Sequence, residues 1–263
     1  MLKIHCLEQY QLEYKKSIEN PELFWESIAE SFEWKKKWDK VLDWNFDEPN
    51  VKWFDGGQLN ITENCLDRHL DKIGDKVAFN WIPNDVSEKG RKISYKELHA
   101  HVCKFSNVLE KNGIKKGDRV CLYMPMVPEL IIAILACARV GAIHSVVFAG
   151  FSAQSLSDRI NDCNCNLVIT ADGAFRGAKT IDLKSIVDES LLTCDSVKRV
   201  IVLERTKIET LMLEGRDVWW HDEMLNTSTN HQAVTMNSED TLFILYTSGS
   251  TGKPKGVVHS IAG

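Results

Sequence analysis

The sequence has 263 residues, of which 44% are apolar, so the chain can bury a sizeable core in one large domain or two small ones. Its formal net charge of −5 and lack of a basic tract argue against nucleic acid as a main partner, because phosphate backbones are bound by clustered Lys and Arg. The most apolar run, 130–138, is far shorter than the roughly 20 residues that span a bilayer, and the N-terminus has no signal-peptide core. We therefore expect a cytoplasmic protein without a membrane partner, in which the eight scattered cysteines are reduced thiols.

The N-terminal 70 residues differ in composition from the rest of the chain. A helix is predicted to begin at Pro21, because Asn20 is a favourable N-cap residue and proline suits the first helical position. Five of the eight tryptophans lie between Trp25 and Trp53, and indoles at this density usually anchor a segment on a neighbouring core by packing. A base- or sugar-stacking surface is the alternative, although no basic residues alternate with the rings. We expect a turn over 51–60, helical spacing over 64–70 and a helical, Trp-rich cap over 1–70 as a whole.

From about residue 77 onward, short apolar runs alternate with helical patterns. We predict strands over 77–81, 92–94, 118–124, 143–148, 166–170, 199–203, 240–245 and 257–259, and helices over 95–112, 128–140, 152–163 and 183–192. A capping box formed by Ser94 and Glu97 begins the first of these helices. Strands that alternate with helices of ten or more residues predict an α/β fold, with a largely parallel sheet covered by helices on both faces. The polar 205–240 segment is predicted to be an irregular connection.

A loop of small, hydroxylated and basic residues lies between the last two predicted strands. It contains Thr247, Ser248, Gly249, Ser250, Thr251, Gly252, Lys253, Pro254, Lys255 and Gly256. Glycines let backbone N–H groups approach a phosphate, hydroxyls donate to its oxygens and lysines supply positive charge, so the loop is predicted to hold a polyphosphate.

Two common phosphate loops do not fit this stretch. The P-loop of NTPases is excluded because Thr247 occupies the position of its first glycine and Pro254 follows Lys253. The dinucleotide fingerprint is excluded because only Gly-x-x-Gly is present and a proline hinders a helix start. The remaining alternative is a plain surface turn between two strands.

A second candidate site follows the predicted strand 166–170, because ligands gather at the carboxyl ends of strands in open α/β sheets. Its residues are Arg176, Gly177, Ala178 and Lys179. Composition alone explains this stretch equally well as a solvated basic turn.

Other potential chemistry is not supported by spacing. Of His99, His101 and Cys103, only His99 and Cys103 share a helix face, and the Cys163-x-Cys165 pair has no second pair at zinc-site spacing. We therefore predict no protein-held metal site. No nucleophile elbow is present, so a covalent triad is not predicted either.

These residues resemble a known family. The stretch 246–256 is similar to the phosphate loop of the adenylate-forming enzymes, and the stretch from Trp38 to Leu70 resembles the N-terminal region of AMP-forming acetyl-CoA synthetases. The resemblance divides the chain into a cap region over 1–70 and an AMP-binding domain over 71–263, incomplete at its C-terminus.

The resemblance implies an acetate–CoA ligase. Acetate attacks the ATP α-phosphate to give acetyl-adenylate and pyrophosphate, and the CoA thiol then displaces AMP. The 247–256 loop would hold the β- and γ-phosphates, with Mg²⁺ carried largely by ATP. Where the family has Arg-Gly-Gly-Arg against CoA, this chain keeps Arg176 and Gly177 but has Ala178 and Lys179, and lysine lacks the bidentate fork of arginine.

Length is the largest departure from the family. Its members continue for several hundred residues past the loop and carry the acyl pocket and the adenylation lysine there, so no catalytic residue is expected within 1–263. We expect the chain alone not to make acetyl-CoA, and acetate-dependent release of pyrophosphate would contradict this. A propionyl- or other short-chain acyl-CoA synthetase and a non-catalytic nucleotide-binding or interaction module are the alternatives.

Overall fold

The computed structural model describes residues 3–247 and 254–263. In the N-terminal region the elements are helices α1 (Leu7–Glu19) and α2 (Pro21–Ala29), strands β1 (Lys40–Asn45), β2 (Asn50–Asp55) and β3 (Gln58–Leu59), helix α3 (Ile61–Cys65), a 3-10 turn (Asp67–His69) and helix α4 (Leu70–Ile73). Helix α2 begins at Pro21, as predicted.

The segment 51–60 was predicted to be a turn, and this is wrong for most of its length. Strand β2 pairs antiparallel with β1, which places Trp53 opposite Leu42. Only Gly56 and Gly57 lie between β2 and β3, and Gly56 has a φ of +79°. The strand was missed because its stability comes from cross-strand neighbours, which local composition does not reveal.

The tryptophans of this region pack against one another. The ring of Trp34 lies 5.0 Å from that of Trp38, and both contact Phe54, at 5.6 and 5.1 Å. Such tilted and edge-to-face contacts favour packing over a stacking surface for bases.

The remaining elements form a layered α/β structure. They are β4 (Val77–Trp81), β5 (Arg91–Ser94), α5 (Tyr95–Lys111), β6 (Arg119–Tyr123), α6 (Pro128–Val140), β7 (Ile143–Val146), α7 (Ala153–Cys163), β8 (Leu167–Ala171), β9 (Gly173–Arg176), β10 (Lys179–Asp182), α8 (Leu183–Leu191), β11 (Arg199–Leu203), β12 (Asp217–Trp219), α9 (Trp220–Met224), β13 (Met236–Asn237), β14 (Thr241–Thr247) and β15 (Lys255–Ser260). The seven-stranded central sheet has the order β12-β11-β8-β6-β7-β14-β15. Every neighbouring pair in it is parallel except β14 and β15.

The sheet separates two hydrophobic cores. Val120 and Leu122 of β6 pack with α5 and α6 on one face, whereas Cys121 and Tyr123 pack with α7 and α8 on the other. This alternation follows from the two-residue period of a strand. The predicted α/β fold with helices on both faces is therefore confirmed.

The 205–240 segment is more ordered than predicted. Strand β12 adds to the edge of the central sheet beside β11, and β13 pairs with β3. Both strands are too short for a periodic pattern, and the partner of β13 lies far away in sequence, so local patterns did not predict them. Within 3–247 and 254–263, no helix has the length and apolar character needed to cross a membrane.

Candidate functional site: a cleft at the carboxyl edge of the sheet

The strand order creates a crevice at the carboxyl ends of the central strands. The chain leaves β6 through α6 toward β7, whereas it leaves β8 through α8 toward β11 on the opposite side. Loops after β6 and β8 therefore diverge, which is the arrangement at which open α/β sheets bind ligands.

A cleft of about 520 Å³ lies at this position. Its walls come from the segment after β6 (Met124–Val127), the end of β7 with the residues that follow, the β9–β10 hairpin, and Leu245 of β14. The lining is mostly apolar, with Arg176 and Arg205 as its cationic side chains. A largely apolar cleft with a few charged groups is typical of a small-molecule site.

The predicted basic turn is the tip of the β9–β10 hairpin. Arg176 and Lys179 stand opposite each other in register, with Gly177 and Ala178 as the two connecting residues. Gly177 has a φ of +60°, as the first central residue of a II′-type hairpin turn requires. All four residues are exposed; Arg176 and Gly177 line the cleft, while Ala178 and Lys179 are not part of its lining.

Asp172 holds the base of this hairpin and was not predicted from the sequence. Its fully buried carboxylate accepts the backbone N–H groups of Gly173, Arg205, Thr206 and Lys207, at 2.6 to 3.0 Å. Charge-assisted bonds of this kind are roughly twice as strong as neutral ones. The segment after β11 is thereby fixed against the hairpin.

Arg205 was also missed, because it lies in the segment that was predicted to be an irregular connection. Its guanidinium lies 5.5 Å from the ring centroid of Trp81 and 5.0 Å from that of Phe175. The same group makes a bidentate ion pair with Glu88, with N···O distances of 2.9 and 2.5 Å. The rule that led to the 176–179 turn, inspection of the residues after a strand, would also have led to Arg205 after β11.

The predicted phosphate loop begins and ends in strands. Thr247 is the last residue of β14 and pairs with Lys255 of β15, and Gly256 pairs with Tyr246. The other predicted residues of the loop, Ser248, Gly249, Ser250, Thr251, Gly252 and Lys253, lie outside the described part of the chain. Leu245 lines the cleft two residues before Thr247, so the strand that leads into the loop shares the cleft with Arg176.

Tyr246 ties this end of β14 to helix α7. Its hydroxyl donates to Asp162 Oδ2 at 2.6 Å and lies 2.8 Å from Cys163 Sγ. Burial, and then the hydrogen bond to Asp162, raise the pKa of Tyr246. The hydrogen bond with Cys165 lowers the pKa of the Cys163 thiol.

The His99 region is a polar contact between helix α5 and the N-terminal part of the chain. His99 Nε2 lies 3.3 Å from Asp67 Oδ1 and 3.5 Å from Cys103 Sγ. His101 is on the same helix but outside this contact. Among residues 3–247 and 254–263, no group of three or more His, Cys, Asp or Glu side chains could hold a metal ion.

Comparison with known proteins identifies the chain's relatives. A family model described as AMP-binding enzyme matches residues 66–263, and one described as acetyl-coenzyme A synthetase N-terminus matches residues 10–65. The chain is 52% identical over 257 residues to the acetyl-coenzyme A synthetase of Magnetococcus marinus and 50% identical over 260 residues to that of Escherichia coli. Each alignment covers 97% of this chain, which spans 40% of the length of these curated relatives.

A solved structure supports the same assignment. The acetoacetyl-CoA synthetase from Streptomyces lividans matches with a TM-score of 0.86 at 26% identity, over 95% of this chain and 38% of that chain. The resemblance inferred from the phosphate loop and the Trp-rich region is therefore confirmed. Because the AMP-binding model matches well over half of the sequence, the chain belongs to the family of AMP-binding enzymes.

Proposed function

We propose that this chain provides the nucleotide-phosphate loop and the CoA-binding hairpin of an AMP-forming acetate–CoA ligase. The observation that carries the proposal is the cleft at the carboxyl edge of the sheet, whose lining includes both Arg176 and a residue of the strand that enters the phosphate loop. In this reaction acetate and ATP form acetyl-adenylate and pyrophosphate, and the CoA thiol then displaces AMP. Acetate, ATP and CoA are small molecules of the cytoplasm, where we place the reaction, without a nucleic-acid or membrane partner.

For ATP, we assign the β- and γ-phosphates to the loop from Thr247 to Gly256. Lys255 is exposed at its end, opposite Thr247. One charge pair at 4 Å contributes about 4 kcal/mol at an effective dielectric of 20, before desolvation. Because Lys253 and Lys255 together carry less charge than the ATP tail, the substrate in this proposal is MgATP, with the cation held mainly by the phosphates.

For CoA, we assign its phosphate groups to the hairpin tip. Arg176 can present a bidentate fork to a phosphate, whereas Lys179, across the hairpin, adds a point charge. Gly177 leaves open space above the backbone, with no atom within 4 Å of an added Cβ, so a phosphate can approach the tip closely. The apolar cleft beside the hairpin suits the uncharged pantetheine arm.

The chemical steps are not assigned to residues of this chain, whose part is to bind and orient the two phosphate-bearing substrates. Residues 1–70 serve as a cap and 71–263 as the AMP-binding domain. Acetate is favoured over propionate as the acyl substrate because the relatives that are 52% and 50% identical are named acetyl-coenzyme A synthetases. The acetoacetyl-CoA synthetase, at 26%, is more distant.

The CoA assignment is tested by calorimetric titration of the purified chain with CoA. We expect saturable binding that the variant Arg176→Gln weakens by roughly tenfold, the value of one charge-assisted hydrogen bond. Pantetheine, which has no phosphate, should bind both proteins equally. The control Lys198→Gln, at the opposite edge of the sheet, should bind CoA like the wild type.

The absence of saturable CoA binding by the wild-type chain would contradict the proposed CoA site. Binding of MgATP without CoA binding would instead favour the nucleotide-binding module that the sequence left open. Equal CoA affinity of the wild type and Arg176→Gln would remove Arg176 from the site.

A further inference from the structure

We infer that Arg205 is a positioning residue, which fixes the β9–β10 hairpin so that Arg176 faces the cleft, without itself binding the ligand. The inference rests on the proposed function for its consequence, tighter binding of CoA. Its structural basis, contacts of Arg205 with the hairpin and with the 82–90 loop, is independent of any ligand.

The hairpin needs an external support. Strands β9 and β10 form a two-stranded sheet of their own, which within the described part of the chain is not hydrogen-bonded to a strand of the central sheet. Isolated two-stranded hairpins are marginally stable at best. Since residues 175–180 are exposed, little packing restrains the tip.

The backbone around Arg205 supplies the first support. Its N–H group donates to Asp172 Oδ1 at 2.8 Å, directly before the hairpin begins. The following residue, Thr206, packs so closely on Gly173 that a Cβ at position 173 would lie 2.6 Å from Thr206 Oγ1. Any side chain at Gly173 would therefore push strand β9 away from the segment that follows β11.

The side chain of Arg205 supplies the second support. Its guanidinium lies over Phe175, the neighbour of Arg176 in β9, and over Trp81 at the end of β4. Phe175 and Arg176 are consecutive in β9 and both line the cleft, so holding the ring of Phe175 restrains the backbone from which Arg176 extends. Contacts between a guanidinium and aromatic rings combine cation–π attraction with planar stacking.

The ion pair with Glu88 explains why Arg205 positions the hairpin and does not bind the ligand itself. Both carboxylate oxygens of Glu88 accept from the guanidinium, and the Arg205 side chain is only 20% exposed. The positive charge is thus compensated within the protein. In contrast, Arg176 is exposed at the hairpin tip.

The test compares Arg205→Gln with the matched control Arg199→Gln. Arg199 begins β11, at the end of that strand remote from Arg205, and donates to the Gly215 carbonyl. We expect Arg205→Gln to weaken CoA binding by roughly tenfold through loss of preorganisation, and Arg199→Gln to leave it unchanged. Without ligand, amide hydrogen exchange over 173–182 should accelerate in Arg205→Gln only.

A second variant distinguishes the positioning role of Arg205 from the effect of its positive charge. Arg205→Lys keeps the positive charge but cannot both stack on the rings and bind Glu88 with two parallel bonds, so we expect it to restore little of the affinity. Full recovery of CoA binding in Arg205→Lys would show that charge suffices and would overturn the inference. Equal CoA affinity of the wild type and Arg205→Gln would overturn it as well.

Failure of the proposed function has a different signature. If the wild-type chain does not bind CoA, the CoA assignment fails, and hydrogen exchange alone decides on Arg205. Faster exchange of the hairpin in Arg205→Gln then supports the positioning role, and unchanged exchange excludes it.

Discussion

At the scale of single residues, His99 is held in its charged form by its surroundings. The hydrogen bond to Asp67 and the contact with the Cys103 thiol raise its pKa to about 9, from an ordinary value of 6.5. Arg139 binds the same Asp67 carboxylate through two nitrogens, at 2.8 and 2.9 Å, so the acid stays ionised. Protonated His99 therefore stabilises the fold, fully below pH 6.5, and this contribution is lost as the pH rises through 9.

We predict that His99→Gln removes part of the pH dependence of stability. Between pH 6 and pH 9.5 the wild type should lose about 2 kcal/mol more unfolding free energy than the variant does, because only the wild type gives up a proton from this contact. Urea unfolding at both pH values measures the difference. The exposed His221 serves as control: His221→Gln should lose as much unfolding free energy between the two pH values as the wild type does. If the wild type and His99→Gln lose the same unfolding free energy between the two pH values, the role assigned to His99 is contradicted.

Individual residues show what a sequence can and cannot predict about a site. The capping box of Ser94 and Glu97 and the end of α6 at Val140 were predicted correctly, because each depends on neighbours within a few positions. Asp172 and Arg205 were missed because their partners are remote: Arg205 binds Asp172, 33 positions away, and Glu88, 117 positions away. Contacts of this kind require the strand order.

At the scale of elements, strand β14 depends on helix α7 for the position of its end. Tyr246 contacts Asp162 and Cys163, at the C-terminal end of that helix, and Arg159 lies over the Tyr246 ring at 5.4 Å. The predicted phosphate loop starts one residue later. This is also where the strands extend further than predicted, since β14 and β15 include Thr247 and Lys255. Pairing between the two strands continues into residues whose composition resembles a loop.

We predict that Tyr246→Phe lowers the unfolding free energy by about 1–2 kcal/mol, because it removes the hydroxyl that donates to the Asp162 carboxyl group. Chemical denaturation measures the change, and faster amide exchange in β14 would locate it. Tyr14→Phe, on the exposed surface of α1, should change stability by less than about 0.5 kcal/mol. An unchanged midpoint for Tyr246→Phe would mean that packing of the ring alone anchors the strand.

At the scale of the whole molecule, a buried ionic cluster attaches helix α8 to the edge strand β12 of the sheet. Lys184 of α8 is 2% exposed and lies 2.7 Å from Asp188 and 2.8 Å from Asp217 of the edge strand β12. It also donates to the Leu211 carbonyl, at 2.9 Å. Arg216 pairs with both carboxylates from the other side.

We predict that Lys184→Ala destabilises the fold by about 3 kcal/mol, because it leaves two partly or fully buried carboxylates with Arg216 as the only remaining cation of the cluster. Thermal or urea unfolding should remain a single transition at a lower midpoint. Lys15→Ala, at an exposed helical ion pair, should stay within about 0.5 kcal/mol of the wild type. A similar small effect for Lys184→Ala would show that water replaces the ammonium group.

The architecture as a whole was largely predictable, whereas the strand order was not. Alternation of strand and helix patterns specifies a parallel α/β sheet through local periodicity. It does not indicate that β14 enters the sheet beside β7, on the far side from β12. The position of β14, which brings Leu245 to the same cleft as Arg176, depends on its pairing with β7, where Phe243 lies opposite His144.

The strand order also sets a distance. Strand β8 leads into the hairpin and β14 into the predicted phosphate loop, and the two strands are separated in the sheet by β6 and β7. Three steps of about 4.8 Å place the two strand ends roughly 14 Å apart, the length of about four extended residues. The sheet thus fixes the spacing of the two strand ends: a molecule the size of acetate is too short to extend from the end of β8 to the end of β14, whereas an elongated ligand is long enough.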